Sequence, residues 1–575
     1  MELIKYGIKK HPYLSLFSAW FLTFMTFGCF EVGAVLPVNY LSPVVFASAV
    51  VIFEYLFMKK KNIDDEKLKK DLIKTIIVVL SAAGYLIITL AVFSVVPHMS
   101  GMTGRNSIIP LVFLTIPIIV FSVYLTIRKK WTYYKAVVTL LSFSYVLHLF
   151  FLMYSMLIYQ YDQGSFFGTE IGHFGYIKYI YNNYSLPQFD PRLKWQYYHP
   201  PLNHIICAVF LRIQTAFGVN FLTAADNLTF LPFLYFMNTL IIFHRLSLKT
   251  GLEKKYSIYI LAVTSFSVGL HFTGGYVNND MLSVMFMMLA VSLSINWYKN
   301  RKISNMIPIA ICFGLGMFTK LSMWMCSVPI AVLFISALID VIRRKQFKDL
   351  RKMIGQMCVF LTISVPMSLY WSVRNLVRFG VPLAYIPVSG PEGQHIDADI
   401  TKRLFDFDLS QFDKPYVANV LNKDSYNEYN PLIALIKSSM GTTALDSFFI
   451  PKILFPVVLI ISVISFVCMI YVLVKKHGLD PVYKLMFLLF YLVVLVSYYI
   501  FCIKYPGVCT EEIRYATPVI FIGAYFISYT LMCIDKKKKK ALSLFIRSVV
   551  VLFVLLSAAD IVCDGIMNAI EWMTL

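Results

Sequence analysis

The chain of 575 residues is 58% hydrophobic and 16% aromatic, and only 14% of its residues are charged. This composition excludes an ordinary soluble globular protein and predicts a polytopic membrane protein. The formal net charge of +21 would suggest a nucleic-acid partner in a soluble protein, but here the lysines fall in short runs beside apolar stretches, so they indicate membrane orientation and no nucleic-acid partner is expected.

The N-terminal part of the chain consists of apolar stretches near the length that a bilayer crossing needs. The basic N-terminus lacks a following small-residue cleavage site, so the first stretch is expected to remain as an anchor with the N-terminus in the cytoplasm. Basic residues at 59–70 and 128–130 then lie on the same cytoplasmic side. The predicted spans are 13–32, 41–58, 72–96, 108–127 and 133–158.

The segment 159–204 follows the fifth span and is predicted to be a large external loop. It interleaves Asp162, Glu170, His173 and His199 with many Tyr, Phe and Trp residues. Aromatic rings with one polar end favour a bilayer interface over open solvent. We interpret the segment as a catalytic loop with interfacial helices that lies against the membrane.

The apolar stretch 202–219 decides the topology of the rest of the chain. If it crossed completely, the cations at 244–255 would face outside, against the positive-inside bias. If it lies in the interface, every later basic run returns to the cytoplasm. The chain is then a multi-pass plasma-membrane protein with about fifteen crossings and an external C-terminus. The further spans are predicted at 226–243, 256–273, 281–298, 305–319, 321–342, 353–375, 449–474, 484–503, 514–533 and 542–560.

This orientation collects a second set of polar residues on the outer face, where we expect them to share one cavity. They are Asn279 and Asp280 in GGYVNND, Lys320 in GLGMFTK, Arg374 in WSVRNLVRFG, and Arg514 and Tyr515 in TEEIRYATP. The polar loop 381–447 has little periodicity and is expected to cap that cavity or bind an acceptor.

The chain therefore divides into a four-helix membrane region at 1–130, a catalytic membrane module at 131–380, the external loop 381–447 and C-terminal helices at 448–575. Ten cysteines are scattered singly and have no spacing suited to zinc. No cofactor is predicted, and a divalent metal at the cavity stays an open alternative.

The ordered motifs are more specific than any one residue. HFGYIKYI followed by YYHPPLNHI resembles the first external loop of GT-C glycosyltransferases, particularly the relatives of protein O-mannosyltransferases and aminoarabinose transferases. NNDML, GLGMFTK, YWSVRNLVRFGVP and IRYATP are similar to later landmarks of bacterial members. The likeness runs in order from Trp131 to Tyr529 and does not extend over the first four spans. It implies an all-α, GT-C-like membrane fold.

The resemblance implies transfer of a hexosyl or pentosyl group from a polyprenyl-phosphate donor to a hydroxyl of a cell-envelope glycan, lipid or protein. The mannosyltransferases have an acidic pair just before HFG, whereas here Glu170 stands three residues before His173 and Asp162 eleven residues before it. Asp162 is ranked first as the general base, Glu170 is the alternative, and Asp280 is a second acidic site. Substrate-binding roles are implied for His173, His199, Asn279, Lys320, Arg374, Arg514 and Tyr515.

The reaction needs a base for the acceptor hydroxyl and cations for the departing phosphate, and a single displacement inverts the anomeric carbon. A retaining route would need a second carboxylate as nucleophile. A lipid-linked-saccharide transporter or flippase, a polysaccharide polymerase or ligase, and a membrane scaffold are the competing functions. A transporter would be expected to show inverted repeats and broken helices, and the sequence shows neither clearly.

Overall fold

The computed structural model describes residues 103–155, 157, 160, 167–216, 218–387, 396, 399–407, 430–440, 449–475 and 478–574. Over these ranges the chain is all-helical and contains no β-strand, which confirms the predicted all-α polytopic fold. The predicted spans 13–32, 41–58 and 72–96 lie outside the described residues, as does Asp162.

Nine helices in the described part of the chain are long and apolar enough to cross a bilayer, and a bent pair makes a tenth candidate. A protein with this many such helices is an integral membrane protein, because a helix satisfies every backbone hydrogen bond within itself and so tolerates lipid. The helices from 133 onward occupy the stretches predicted from hydropathy. The segment predicted at 305–319 forms a shorter apolar helix of 15 residues, Ile303–Met317.

In chain order the α-helices are α1 Thr103–Ile127, α2 Tyr133–Tyr154, α3 Gly172–Asn183, α4 Leu202–Ala216, α5 Phe221–Asp226, α6 Phe230–Lys249, α7 Lys254–Phe266, α8 Val268–Gly275, α9 Asp280–Asn300, α10 Ile303–Met317, α11 Ser327–Arg343, α12 Phe347–Phe379, α13 Ile400–Phe405, α14 Pro431–Ser438, α15 Phe449–Val474, α16 Pro481–Lys504, α17 Pro518–Lys536 and α18 Lys540–Thr574. Single 3-10 turns connect several of them, including Leu321–Cys326 and Ile513–Tyr515.

Helices α6 and α17 form the interior of the bundle. Within the most apolar 18 residues of the stretch Phe221–Lys249, which includes α6, 89% of the residues are buried, and within those of α17 83% are buried. In α12 the corresponding share is only 22%. Val365, Leu369 and Val377 are exposed on α12, and in a membrane protein such an apolar face contacts lipid rather than water. The polar residues described below therefore lie among helices that are shielded from lipid.

The predicted span 256–273 is not one straight helix. It consists of α7 and α8, which meet at Ser267 with a bend of 60°. This break was not anticipated from the sequence, because the stretch contains no Pro and a single Gly, Gly269, is tolerated within a helix. The bend directs α8 towards the turn that begins α9.

One end of the bundle is rich in lysine and arginine. There the Lys299 ammonium donates to the Lys249 carbonyl at 2.5 Å, Lys536 forms an ion pair of 2.6 Å with Glu253, and Arg301 contacts Asp340 at 2.7 Å. These contacts join the end of α9 to α6 and α11, and the end of α17 to the turn before α7. The opposite ends of α9 and α17 hold the polar cluster.

Helix α4 covers the stretch 202–219 whose crossing decides the predicted topology. It has 15 residues, fewer than the roughly 20 that a crossing needs. It packs against helix α3. That α4 lies in the interface stays a prediction.

Candidate functional site

Three segments meet at the polar end of the bundle because each adjoins a helix terminus. Asp280 is the first residue of α9, Lys320 follows α10 after a short turn, and Arg514 lies in the 3-10 turn that precedes α17. All three residues line one cavity. The sequence had placed these three residues in one cavity, and the structure brings them together.

The turn before α9 is held by its own side chains. The backbone N–H of Asp280 donates to Asn278 Oδ1 at 3.0 Å, and Asn279 Nδ2 donates to the Thr319 carbonyl at 3.1 Å. Asn279 thus ties the start of α9 to the segment that ends in Lys320. Asp280 lies in the first helical turn, where the free N–H groups favour a carboxylate.

Four charged side chains occupy the site. The Lys320 ammonium contacts the Asp280 carboxylate, and Arg514 Nε lies 2.9 Å from Glu512 Oε2. The Tyr515 ring joins the two pairs, since Lys320 Nζ is 4.7 Å and the Arg514 guanidinium carbon 5.0 Å from its centroid. An aromatic face stabilises cations that have lost water. The four side chains are each no more than 10% exposed.

The remaining walls of the cavity are mostly apolar. Val284, Met287 and Met325 line it together with two serines, Ser283 and Ser322. The Ser283 hydroxyl is buried and has no hydrogen-bond partner among the described residues. The cavity therefore offers one charged wall, one apolar wall and a hydroxyl that is available to a ligand or a moving side chain.

Burial acts on the two cations in different ways. Desolvation lowers the pKa of Lys320, although the Asp280 carboxylate opposes that shift. Desolvation also disfavours charged Arg514, but Glu512, Tyr515 and Asp280 together outweigh it and raise the pKa of Arg514. Arg514 is therefore a permanent cation, whereas the charge of Lys320 depends on an anionic neighbour.

The histidines of the first loop form a stacked group beside this cluster. His173 Nδ1 lies 2.9 Å from His204 Nε2, and the ring centroids of His173 and His199 are 5.4 Å apart. Burial, followed by neighbouring charges including Lys320 and Arg514, holds the pKa of His173 well below its usual range. Burial lowers the pKa of His204 to about 3. Both rings are neutral at physiological pH.

The HPPLNH segment is bonded to the two turns that form the site. Asn203 Nδ2 donates to the Asn278 carbonyl at 2.9 Å, and the backbone N–H of Leu202 donates to the Phe318 carbonyl at 3.0 Å. These bonds explain how sequence motifs 75 residues apart share one site. His173 and His199 do not line the cavity itself. They lie behind the residues that form its wall.

Glu170 is set apart from the cluster. Its side chain is 78% exposed and forms an ion pair of 2.6 Å with Lys194. The hydrogen bond from Lys194 lowers the pKa of Glu170, so the carboxylate is ionised but occupied. Asp162, the other candidate base, lies outside the described residues.

Arg374 does not line the cavity. Its guanidinium donates to the Pro187 carbonyl and to Asn375 Oδ1, the latter at 2.8 Å, and stacks 4.7 Å from the Trp371 ring. Trp371 Nε1 in turn donates to the Tyr198 carbonyl at 3.1 Å. In this conformation Arg374 holds the first loop against α12, and its implied contact with a substrate stays a prediction.

Glu511 and Glu512 stand just before Arg514 in TEEIRYATP. Glu512 pairs with Arg514 beside the cavity, and Glu511 accepts from Arg403 Nη2 at 2.6 Å. The side chains of Arg403 and Glu511 are 3% and 0% exposed. In the sequence, the two adjacent glutamates close to Arg514 could have indicated a local ion pair. No sequence pattern indicated that Arg403 would pair with Glu511.

Over the described ranges, no group of three or more His, Cys, Asp or Glu side chains is placed to hold a metal ion. The nitrogen atoms of His173 and His204 that face each other already share one hydrogen bond. The described residues thus offer no ready coordination set, and metal dependence remains the open alternative of the sequence analysis.

No protein-family model matches the sequence, and no curated protein matches it. Among solved structures, an oligosaccharyltransferase from Archaeoglobus fulgidus in complex with Zn and sulfate is 11% identical with a TM-score of 0.39, over 73% of this chain and 53% of the other. ArnT from Cupriavidus metallidurans bound to undecaprenyl phosphate is 11% identical with a TM-score of 0.37, over 70% and 72%.

AglB from A. fulgidus, in complex with an inhibitory peptide and a dolichol-phosphate, is also 11% identical, with a TM-score of 0.37 over 68% of this chain and 51% of that one. The chain spans about half the length of the archaeal enzymes. All of these proteins are GT-C glycosyltransferases, the superfamily that the ordered motifs resemble. Likeness of this degree does not establish the activity of this chain, so the function below is derived from its own residues.

Proposed function

We propose that this protein is a membrane glycosyltransferase that moves a sugar from a polyprenyl-phosphate donor to a hydroxyl acceptor at the outer membrane face, with inversion. The observation that carries the proposal is a buried charged cluster at one end of an apolar helix bundle: Lys320, Arg514 and Asp280 line a cavity, and Glu512 pairs with Arg514 beside it. Buried ionisable groups are expensive in a membrane protein and usually mark a binding or reaction site.

The sidedness follows from the distribution of charge along the helices. Lysine and arginine collect at one end of α6, α9 and α17, where Lys299 contacts the Lys249 carbonyl and Lys536 pairs with Glu253. That end is cytoplasmic by the positive-inside rule. The cavity at the other end of α9 and α17 then opens to the outside, with the first loop over it.

The two cations suit a phosphate that lies at the boundary between lipid and water. Lys320 and Arg514 share the Tyr515 face and have lost most of their water, so a charge-assisted hydrogen bond to phosphate replaces lost solvation. Arg514 offers a planar fork to the phosphate, and Lys320 a point charge. The apolar wall of Val284 and Met287 fits an aliphatic neighbour better than a second charged group.

In the reaction, a carboxylate takes the proton of the acceptor hydroxyl as its oxygen forms a bond to the anomeric carbon. The bond from that carbon to the phosphate oxygen breaks, and Lys320 and Arg514 stabilise the phosphate that leaves. Asp162 is the first candidate base and Glu170 the alternative, which must release Lys194 to act. Asp280 is the candidate acidic group within the cavity itself.

The test begins with a deletion strain, in which mass spectrometry of envelope glycans and lipid-linked sugars is expected to show an accumulated donor and a missing product. Purified protein is then assayed with that donor. Lys320→Gln is expected to lower turnover about 100-fold or more, as loss of a group that stabilises developing charge does. Arg547→Gln is the matched control, because Arg547 also pairs with a carboxylate, Asp535 at 2.6 Å, but at the lysine-rich end.

A flippase for lipid-linked saccharides is the second candidate, and the bend of 60° between α7 and α8 favours it, since transporters bind substrates at discontinuous helices. The purified assay separates the two functions. A flippase leaves the sugar on its lipid in detergent, whereas a transferase releases the lipid phosphate. Intact donor after incubation with donor and crude acceptor extract would overturn the transferase proposal.

A further inference from the structure

The charged cluster is electrically neutral before any ligand enters. Two cations, Lys320 and Arg514, face two carboxylates, Asp280 and Glu512. If a phosphate simply joined the cluster, it would add one uncompensated charge to a site where all four side chains are almost fully buried. Such a charge is costly unless a partner is released to it. Binding of an anion therefore requires one of the two pairs to open.

The two pairs differ in how easily they open. Glu512 and Arg514 are two residues apart at the same 3-10 turn, so the backbone keeps the two side chains close together. Asp280 and Lys320 come from different segments, 40 residues apart in sequence. Moreover, Asp280 lies at the start of α9, where N–H groups of the first helical turn favour a carboxylate and can replace Lys320 as its partner. The Asp280–Lys320 pair is the one that can exchange.

A second partner for Asp280 is already in place. Ser283 is three residues further along α9 and lines the same cavity, and residues at this spacing lie side by side on a helix. Its hydroxyl is buried without a hydrogen-bond partner among the described residues. A buried hydroxyl in this state costs free energy, and a carboxylate that turns from Lys320 towards Ser283 would satisfy it.

We propose that Asp280 closes the phosphate subsite in the empty protein, and that the donor phosphate displaces it from Lys320 onto Ser283. The exchange rests on the proposed function and identifies the donor class. One carboxylate leaves and one negative charge enters, as in a sugar linked through a single phosphate, which is a phosphodiester. A pyrophosphate-linked donor brings more charge than one exchange accommodates.

The test measures binding of farnesyl methyl phosphate, a singly charged phosphodiester, to the purified full-length protein. Asp280→Asn removes the competitor and is expected to tighten binding about tenfold, a change of about 1.4 kcal/mol. Ser283→Ala removes the partner of the displaced carboxylate and is expected to weaken binding. In the double variant Ser283→Ala should have no further effect, because Ser283 acts through Asp280. Asp340→Asn, which removes a carboxylate paired with Arg301 at 2.7 Å, is the control and should bind as the unaltered protein does.

Unchanged or weaker binding by folded Asp280→Asn overturns the exchange. If that variant does not fold, Ser283→Ala decides, and unchanged affinity in it overturns the exchange equally. Binding of farnesyl pyrophosphate more than about tenfold tighter than the diester would refute the single-charge donor. Absence of saturable binding of either probe by the unaltered protein refutes the phosphate site of the proposed function, which separates that failure from failure of the exchange alone.

Discussion

The buried ion pair between Arg403 and Glu511 predicts how the loop 381–447 is attached to the site. Arg403 lies in α13, the short helix of the loop 381–447, and its Nη2 is 2.6 Å from Glu511 Oε1. Tyr499 supports the same helix by donating to the Leu404 carbonyl at 3.1 Å. Glu511 directly precedes Glu512 of the cavity. The pair therefore connects the loop to the charged wall.

Arg403→Ala is expected to release α13 from the bundle. The side chains of Arg403 and Glu511 are 3% and 0% exposed, and removal of one partner from such a buried pair costs about 3–5 kcal/mol because the other charge loses an interaction that offsets its burial. Since each 1.4 kcal/mol is a factor of ten, local opening should increase about 100-fold or more. Hydrogen–deuterium exchange of the peptide 399–407 measures this opening directly.

Two further variants make that measurement decisive. Arg403→Gln combined with Glu511→Gln replaces the charges by an amide pair and should restore much of the protection, because no unpaired charge stays buried. Lys402→Ala changes an exposed neighbour and should leave the exchange rate within about threefold. Normal exchange of the peptide in Arg403→Ala would show that other contacts hold the loop and would refute the reasoning.

Three other predictions address the base, the topology and the histidines. Asp162→Asn should lower turnover about 10²- to 10⁴-fold with donor binding retained, and Glu170→Gln should be milder; the reverse order would assign the base to Glu170. Cysteines placed at Lys249 and Phe405 in a cysteine-free background should be labelled from opposite sides, and external labelling at 249 would contradict the topology. His204 has a pKa of about 3 in the folded protein, below the unfolded value, so its contribution to stability is complete above about pH 6.5 and declines below it by about 1.4 kcal/mol per pH unit. His204→Gln should flatten the acid side of the stability profile, and an unchanged slope would exclude this contribution.

Much of the fold follows from hydropathy and length alone, because a bilayer allows few alternatives to an apolar helix. The predicted spans at 281–298 and 484–503 lie within α9 and α16. The bend at Ser267 was not predictable in this way, since it depends on packing around α8 rather than on a local breaker. Gly269, for example, allows an approach in which an added Cβ would lie 3.0 Å from the Ser439 backbone.

The candidate site was predictable where charges end apolar helices. Asp280, Lys320 and Arg514 were chosen on that ground and lie on one cavity. Pairing between side chains was not predictable, because nothing in the sequence distinguishes Arg374, which contacts the Pro187 carbonyl, from Arg514, which contacts Glu512. Ser283 had no signal at all, as a lone serine in an apolar helix is ordinary. Its importance arises only from its burial beside Asp280.

The adjacent residues Glu511 and Glu512 connect the loop 381–447 to the proposed phosphate subsite. Glu511 holds Arg403 of the loop, and Glu512 holds Arg514 of the cavity. The Tyr498 hydroxyl and the Ser438 hydroxyl both donate to the Glu511 carbonyl, at 2.8 and 3.5 Å, so this short segment is fixed from several sides. The proposed donor binding requires two different pairs side by side. Glu512 and Arg514 stay together, whereas Asp280 and Lys320 can exchange. One cation keeps its orientation while the other changes partner.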